Sequence, residues 1–352
     1  MILVTGGAGF IGSFVVDQLL DAGHEVRVLD RLHPGAHAER PDFLDARAEY
    51  VWGDVADRAV AVGAVAGVDA VCHQAAMVGL GVDFADAPAY VRDNDLGTAT
   101  LLAALHDRAF VGRIVVASSM VVYGEGAYCC DGHGSARPSP RTRANLDARR
   151  WEPTCPECGR ALTAIPVTED HAPDPRNVYA ATKLHQEHLC AAYGREHDAD
   201  VVALRYHNVY GARMPRDTPY AGVASIFRSA LAAGRAPLVF EDGGQRRDFV
   251  HVTDVARANV LAVTAPGVVG GAYNIASGES HTVLEMARAI ASAHPDATAE
   301  PRVVPQYRLG DVRHVFGAAD RARTGLGFVA QVPFEAGMRE FATAKLRGGE
   351  SG

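Results

Sequence analysis

Ile2-Leu3-Val4-Thr5-Gly6-Gly7-Ala8-Gly9-Phe10-Ile11-Gly12 is the stretch whose reading decides the fold. An apolar run breaks into a turn with glycine at 6, 9 and 12, which reads as strand, tight turn, helix. Glycines there let the backbone turn sharply, approach a ligand closely and pack the new helix on the strand, with a pyrophosphate at the helix N-terminus. The spacing is not Gly-x-Gly-x-x-Gly, so taken alone it fits either a plain turn or a dinucleotide cradle.

The residues that follow favour the cradle. A helical pattern, Phe14, Val15, Gln18 and Leu19, stops at Gly23, which suits the position just past a helix end. A second apolar strand, Glu25 to Leu29, then ends at Asp30, eighteen residues past Gly12. A carboxylate there accepts hydrogen bonds from adenosine ribose hydroxyls and repels a 2′-phosphate, which favours NAD over NADP, with Arg31 beside it tempering the choice.

Composition narrows the class. A chain of 352 residues can bury a large core as one α/β domain or as a domain with a smaller lobe. A formal charge of -8 without runs of Lys or Arg argues against nucleic acid as a partner. With a first strand at residue 2 there is no room for a signal peptide, and no apolar run reaches the roughly twenty residues that span a bilayer. A cytoplasmic protein with reduced cysteines is expected, and four of its six cysteines, Cys129, Cys130, Cys155 and Cys158, crowd into one segment.

Further strands are expected at Glu49 to Trp52, Val68 to Cys72 and Gly112 to Ala117. Asp54 follows the first of these and either reaches the adenine amino group or caps a helix starting near Arg58. His73 follows the second and reads as a satisfied core histidine. Pro88 to Arg108 reads as one long helix carrying Asn94. The fifth strand delivers Ser118 and Ser119 to the carboxyl edge of the sheet, where open α/β folds bind ligands. On the next helix Tyr179 and Lys183, four residues apart, share a face. Farther on, helices are expected at Gly222 to Gly234, Thr253 to Val263 and Thr282 to Ala293, with a strand at Leu238 to Phe240.

Taken together with Gly53-Asp54-Val55, His73-Gln74-Ala75-Ala76, Ser118-Ser119-Met120-Val121-Val122-Tyr123-Gly124, Tyr179-Ala180-Ala181-Thr182-Lys183, Arg205-Tyr206-His207-Asn208-Val209-Tyr210-Gly211 and Arg247-Asp248-Phe249-Val250-His251-Val252, the chain resembles the extended short-chain dehydrogenase/reductase family, in its nucleotide-sugar epimerase and dehydratase branch. The resemblance implies a doubly wound parallel sheet in residues 1–207 and a smaller substrate lobe in 208–352, with 249–276 returning to the sheet. It implies Tyr179 as general base, Lys183 as the cation that lowers its pKa and holds the nicotinamide ribose, and Ser119 as the partner of the reacting oxygen. A phenol titrates near ~10, so it needs an adjacent cation to act as a base at neutral pH. NAD would be held by Gly6, Gly9, Phe10, Ile11, Gly12, Asp30, Arg31, Asp54, Val55, Ala75, Ala76, Tyr206 and His207, with Asn94 supporting Lys183 through water. A nucleotide-diphosphate sugar would meet Met77, Ser119, Met120, Asn208, Arg247, Arg308 and Asp311. A homodimer through the helices near Pro88 and Tyr179 is also implied.

Two departures stand out. The connection from Gly124 to Tyr179 is longer than the family pattern and contains Cys130-Asp131-Gly132-His133 and Cys155-Pro156-Glu157-Cys158, with 21 residues between. These are spaced like the halves of a zinc ribbon, so residues 125–168 are expected to form an insertion closed by structural zinc on Cys130, His133, Cys155 and Cys158, with Cys129 as an alternative ligand and free thiols as the alternative state. Second, sugar 4,6-dehydratases of the family carry an Asp-Glu pair where this chain has Met120 and Val121. Without that acid and base, elimination of water lacks its machinery, and the expectation is epimerisation, most plausibly at C4 of a deoxyhexose, or simple redox at a carbinol.

Overall fold

In the computed structural model the described residues are 1–37, 39–79, 83–216, 222–295 and 299–347. Strand β1 (Ile2–Thr5) is buried along its whole length, as a central parallel strand must be. Helix α1 (Phe10–Asp21) follows the glycine turn and ends with Gly23 at φ +84°. Strands β2 (Val26–Asp30) and β3 (Glu49–Trp52) come next, then α2 (Arg58–Ala64) and β4 (Ala70–His73). The cap of α2 is Asp57, whose carboxylate accepts from Ala59 and Val60, so the capping role considered for Asp54 falls to its neighbour.

The helix expected over Pro88 to Arg108 is interrupted. It starts as a 3₁₀ turn at Phe84–Asp86, becomes α3 (Ala87–Tyr90), widens into a π-helical segment at Val91–Leu96 and resumes as α4 (Gly97–His106). The wide turn carries Asn94 fully buried, and such bulges concentrate at functional positions.

Strand β5 (Arg113–Ser119) ends at the two serines. The insertion then forms its own antiparallel sheet from β6 (Ala127–Cys130), β7 (Gly134–Ala136) and, after the short α5 (Arg143–Asp147), β8 (Thr163–Ile165), in the order β7-β6-β8. Helix α6 (Val178–His197), capped by Asn177, carries Tyr179 and Lys183 and leads to β9 (Val201–Tyr206).

The remainder alternates between lobe and sheet: β10 (Asn208–Tyr210), α7 (Val223–Ala232), β11 (Leu238–Phe240), β12 (Arg246–His251), α8 (Val252–Thr264), β13 (Gly271–Ile275), β14 (Ser280–Thr282), α9 (Val283–Ala293), β15 (Arg302–Val304), α10 (Asp320–Leu326) and α11 (Phe334–Thr343). The large sheet has seven parallel strands in the order β13-β9-β5-β4-β1-β2-β3. One face packs Val15, Leu19, Ala258 and Ala322 from α1, α8 and α10; the other packs Ala61, Leu101, Leu105 and Cys190 from α2, α4 and α6. A third core, with Phe227, Met286 and Met338, joins α7, α9 and α11 in the lobe. β12 pairs with β10 while its Val250 packs in the core of the large sheet, and Ala322 and Leu326 of α10 pack there too, a second return that the sequence pattern does not announce. Among the described residues no helix is long and apolar enough to cross a membrane.

Candidate active site

A cavity of about 1590 Å³ runs along the carboxyl edge of the sheet and into the lobe. At one end lies the glycine turn. A Cβ at Gly12 would sit 2.2 Å from the Gly6 carbonyl oxygen, and one at Gly6, where φ is +69°, would sit 2.8 Å from Ala75 N. Only bare backbone fits there. Gly9 caps α1 without any side-chain hydrogen bond, so the first-turn N–H groups, from Phe10 and Ile11 onward, face the cavity as a site for an anion. Val55, Ala75 and Ala76 line the same end, with Ala75 N bonded to the Thr5 hydroxyl at 3.2 Å.

Asp30 accepts from Ala8 N at 3.0 Å and Leu32 N at 2.8 Å, which fixes its carboxylate at the end of β2. Arg31 lines the same cavity end and is engaged by carboxylates. Its guanidinium reaches Asp54 at 2.8 Å and also pairs with Asp93. Asp54 takes Arg92 at 2.7 Å and Ala56 N at 2.9 Å as well, and these partners overcome burial to hold its carboxyl at about 2. His73 is the satisfied core residue expected, with its ring nitrogens 2.6 Å from Thr5 Oγ1 and 2.9 Å from Thr98 Oγ1, and burial pushes it down to about 3.

In mid-cavity Ser119, Tyr179 and Lys183 meet. β5 ends at Ser119, and α6 runs alongside so that its first turns face that end. Burial pushes the Tyr179 phenol up to about 12, against a hydrogen bond with Ser119 that favours the anion. Lys183 is 3% exposed, and its ammonium donates to the Ala117 carbonyl at 2.9 Å. Burial drives it down to about 7, opposed by the charge of Glu187. Glu187 is itself clamped by Arg205 at 2.9 and 2.8 Å and by the Ser118 hydroxyl. Asn94 accepts from Met77 N at 2.7 Å and donates to the Thr182 hydroxyl at 2.9 Å, so the π-helical turn ties the loop after β4 to the residue preceding Lys183. The Tyr206 hydroxyl lies 3.0 Å from Gln74, within the motif after β4, and 2.8 Å from Asn259, a partner with no motif signal of its own. His207 is buried against Gly317 and held at about 4 by that burial.

Toward the lobe, Met120, Asn208, Arg308 and Asp311 line the cavity, and the Asn208 side-chain oxygen is a buried acceptor without a donor among the described residues. The Arg308 guanidinium stacks 5.6 Å from the Phe240 ring centre. Arg247 is held by the carbonyls of Arg313 at 2.9 Å and Val312 at 2.7 Å, which aims a guanidinium along the cavity wall.

The insertion brings Cys130, His133, Cys155 and Cys158 together, all four donor atoms within 4.8 Å of one another. Cys130 Sγ lies 3.7 Å from Cys158 Sγ and 3.5 Å from His133 Nδ1, and Cys155 Sγ lies 3.6 Å from the same nitrogen. Zinc with ordinary tetrahedral bond lengths separates two sulfurs by ~3.8 Å and a sulfur from a nitrogen by ~3.6 Å, so the donor set fits that ion. Cys129 is outside the group, its thiol 3.8 Å from the Cys130 carbonyl oxygen. The same insertion grips the segment that holds Arg247. Arg313, 1% exposed, pairs with Glu152 at 2.6 Å, Glu241 at 2.9 Å and Asp242 at 2.8 Å; Arg141 pairs with Glu241 and donates to the Asp311 carbonyl at 2.7 Å; and Glu152 reaches His314 at 2.9 Å.

Residues 2–143 and 154–276 match the NAD dependent epimerase/dehydratase family. The chain is 34% identical over 348 residues to dTDP-L-rhamnose 4-epimerase of Burkholderia thailandensis, covering 97% of this chain and 94% of the relative. It is also 32% identical to dTDP-glucose 4,6-dehydratase of Streptomyces niveus, with 96% and 90% covered. In structure it is similar to UDP-glucose 4-epimerase of Thermus thermophilus solved with NAD, at TM-score 0.75, 30% identity and 97% of each chain. UDP-glucose 4-epimerase of Thermotoga maritima with UDP-glucose gives TM-score 0.78 at 26% identity, again over 97% of each chain. With a family match that spans most of the chain up to residue 276 and a relative 34% identical over 97% of it, the chain belongs to the NAD dependent epimerase/dehydratase family.

Proposed function

We propose that the protein is an NAD-dependent nucleotide-sugar 4-epimerase. The observation that carries this reading is the convergence of Ser119, Tyr179 and Lys183 beside a glycine cradle that only bare backbone can form. Bound NAD would supply a hydride acceptor that is restored within each turnover. Tyr179 takes the sugar hydroxyl proton and later returns one, Ser119 holds the same oxygen, and the buried Lys183 ammonium stabilises the phenolate that Tyr179 passes through. Gly6, Gly9, Phe10, Ile11 and Gly12 would hold the pyrophosphate, and Asp30 the adenosine ribose. Asp54 and Arg31, spent on each other, shape the adenine end from behind.

Arg247, Arg308 and Asn208 would receive the sugar nucleotide's diphosphate, with Asp311 at the same end. Met120 and Val121, which follow Ser119 in the cavity wall, supply neither acid nor base where a dehydratase needs both, and an apolar wall there supports a 6-deoxyhexose such as the rhamnose of the Burkholderia relative. Cys130, His133, Cys155 and Cys158 would hold one structural zinc, whose closed shell cross-links the insertion and performs no chemistry. A thiolate ligand set suits a reducing cytoplasm. A homodimer through α3, α4 and α6 is expected; only monomer in sedimentation at micromolar concentration would rule it out.

The test is incubation of the purified protein with dTDP- and UDP-sugars without added cofactor. Stereoisomers at C4 appearing with no net change in nicotinamide absorbance are expected. Conversion that consumes added NAD stoichiometrically, or none at all, would overturn the reading.

A further inference from the structure

Residues 345–347 run as a strap beside 213–216, with Arg213 N bonded to Lys345 O at 2.9 Å, Arg347 N to Met214 O at 3.0 Å and Arg216 N to Arg347 O at 3.2 Å. Leu346 is buried in the lobe core, and Lys345 pairs with Asp42 at 2.6 Å. The strap therefore crosses from the lobe to the loop that follows β2 and begins just after Asp30.

This crossing places Arg347 in the wall of the main cavity together with Asp30, His33 and His37. Arg347 Nη1 lies 3.4 Å from His37 Nε2. Two further atoms of this pair, Arg347 Nε and His37 Nδ1, are buried polar groups without a hydrogen-bond partner among the described residues. Such groups are costly to bury unless something satisfies them. Through its contact with His37, on the loop that follows β2, Arg347 stands on the same cavity wall as Asp30, and burial pushes its guanidinium down to about 10 against the charge of Asp30. Arg31, the cation that adjoins Asp30 in the sequence, is committed to Asp54 and Asp93 and cannot serve here.

We propose that Arg347 is a specificity-determining residue of the dinucleotide site: delivered by the C-terminal strap, its guanidinium faces the adenosine ribose held by Asp30, and the pair decides between a free 2′-hydroxyl and a 2′-phosphate. The proposal rests on the reading of this cavity as a dinucleotide site. A carboxylate at the ribose accepts hydroxyl hydrogens and repels phosphate, whereas a guanidinium is a forked donor suited to phosphate oxygens. With both present Asp30 masks Arg347, and the site prefers NAD. Neutralising Asp30 unmasks the cation.

The experiment is calorimetric titration of full-length protein, stripped of any co-purified dinucleotide, with NAD and with NADP. The wild type is expected to bind NAD at least tenfold more tightly than NADP. Asp30→Asn should improve the NADP dissociation constant at least tenfold. Adding Arg347→Met should remove that gain, while adding Arg347→Lys, which keeps the charge, should retain most of it. Thermal melts of each variant establish that it is folded, and the lysine variant decides the matter if methionine loosens the strap. An Asp30→Asn protein with no gain in NADP affinity, or a gain that survives Arg347→Met within twofold, overturns the proposal. A wild type that binds neither dinucleotide overturns the reading beneath it, which is a different and separately visible outcome.

Discussion

Replacing Lys183 by Met should make the protein more stable at neutral pH while disabling it. Burial lowers the Lys183 ammonium to about 7 from an ordinary 10.5. A gap of that size corresponds to a penalty on the order of 5 kcal/mol, borne by the folded state whenever the group is charged in both states. The sign follows from proton counts. Below pH 7 both states of this group are protonated and the penalty is complete; between 7 and 10.5 Lys183 binds more protons in the unfolded chain than in the folded one, so its own contribution to stability rises with pH. Methionine removes the penalty but leaves the Ala117 carbonyl without its donor, a loss of about 1–3 kcal/mol. The variant should therefore be more stable by about 2 kcal/mol or more at pH 6–7. The advantage should shrink steadily and reverse by about pH 10. Urea unfolding of dinucleotide-free protein across pH 6–10 measures this. The buried thiols of Cys72 and Cys190, both pushed up to about 12, lower stability at high pH, but they are common to both proteins and cancel in the difference. A variant less stable than the wild type at pH 7, or a difference flat with pH, would refute the reasoning.

Tyr179→Phe should lower turnover by about 10³ or more with an unchanged melting temperature, because it removes the proton acceptor and little packing; steady-state kinetics beside a thermal melt checks both halves. Elemental analysis of protein prepared without chelators should find one zinc per chain, and changing Cys155 and Cys158 to Ser should abolish it and weaken sugar-nucleotide binding more than NAD binding. Absence of zinc would leave the four side chains as free thiols and an imidazole. Glu152→Gln should cost about 1 kcal/mol of stability, a modest figure because the carboxylate is 45% exposed and Arg313 keeps two other partners, and should raise KM for the sugar nucleotide with kcat little changed; an unchanged KM would separate the insertion from the Arg247 wall.

The nucleotide half was legible because its signals are local. The apolar run into Gly6, Gly9 and Gly12, the stop at Gly23 and the strand ending at Asp30 each depend on residues a few positions apart, and the structure places them so. The grouping of Cys130, His133, Cys155 and Cys158 was legible for the same reason, since each half is a short turn that brings two of them together. What escaped depends on polar partners distant in sequence. Nothing near Arg31 announces Asp93 as its partner, nothing near Tyr206 announces Asn259, and no periodicity carries Arg347 back to Asp30. The π-helical turn at Asn94 escaped because what marks it is the burial of one polar side chain on Met77 and Thr182, partners that no local apolar pattern announces.

The ionic seam around Arg313 has a consequence for how this chain can be recombined with its relatives. Residues 125–168 look like a cassette, entered after Gly124 and left before α6, yet the charge of Glu152 is balanced by a segment met about 160 residues later. Excising the cassette alone would strip Glu152 from Arg313 and His314 and Arg141 from Glu241, leaving Arg313 to share two carboxylates. Crossovers that preserve function should therefore exchange 125–168 and 311–314 as one unit, and lineages that gain or lose the cassette should change both places together.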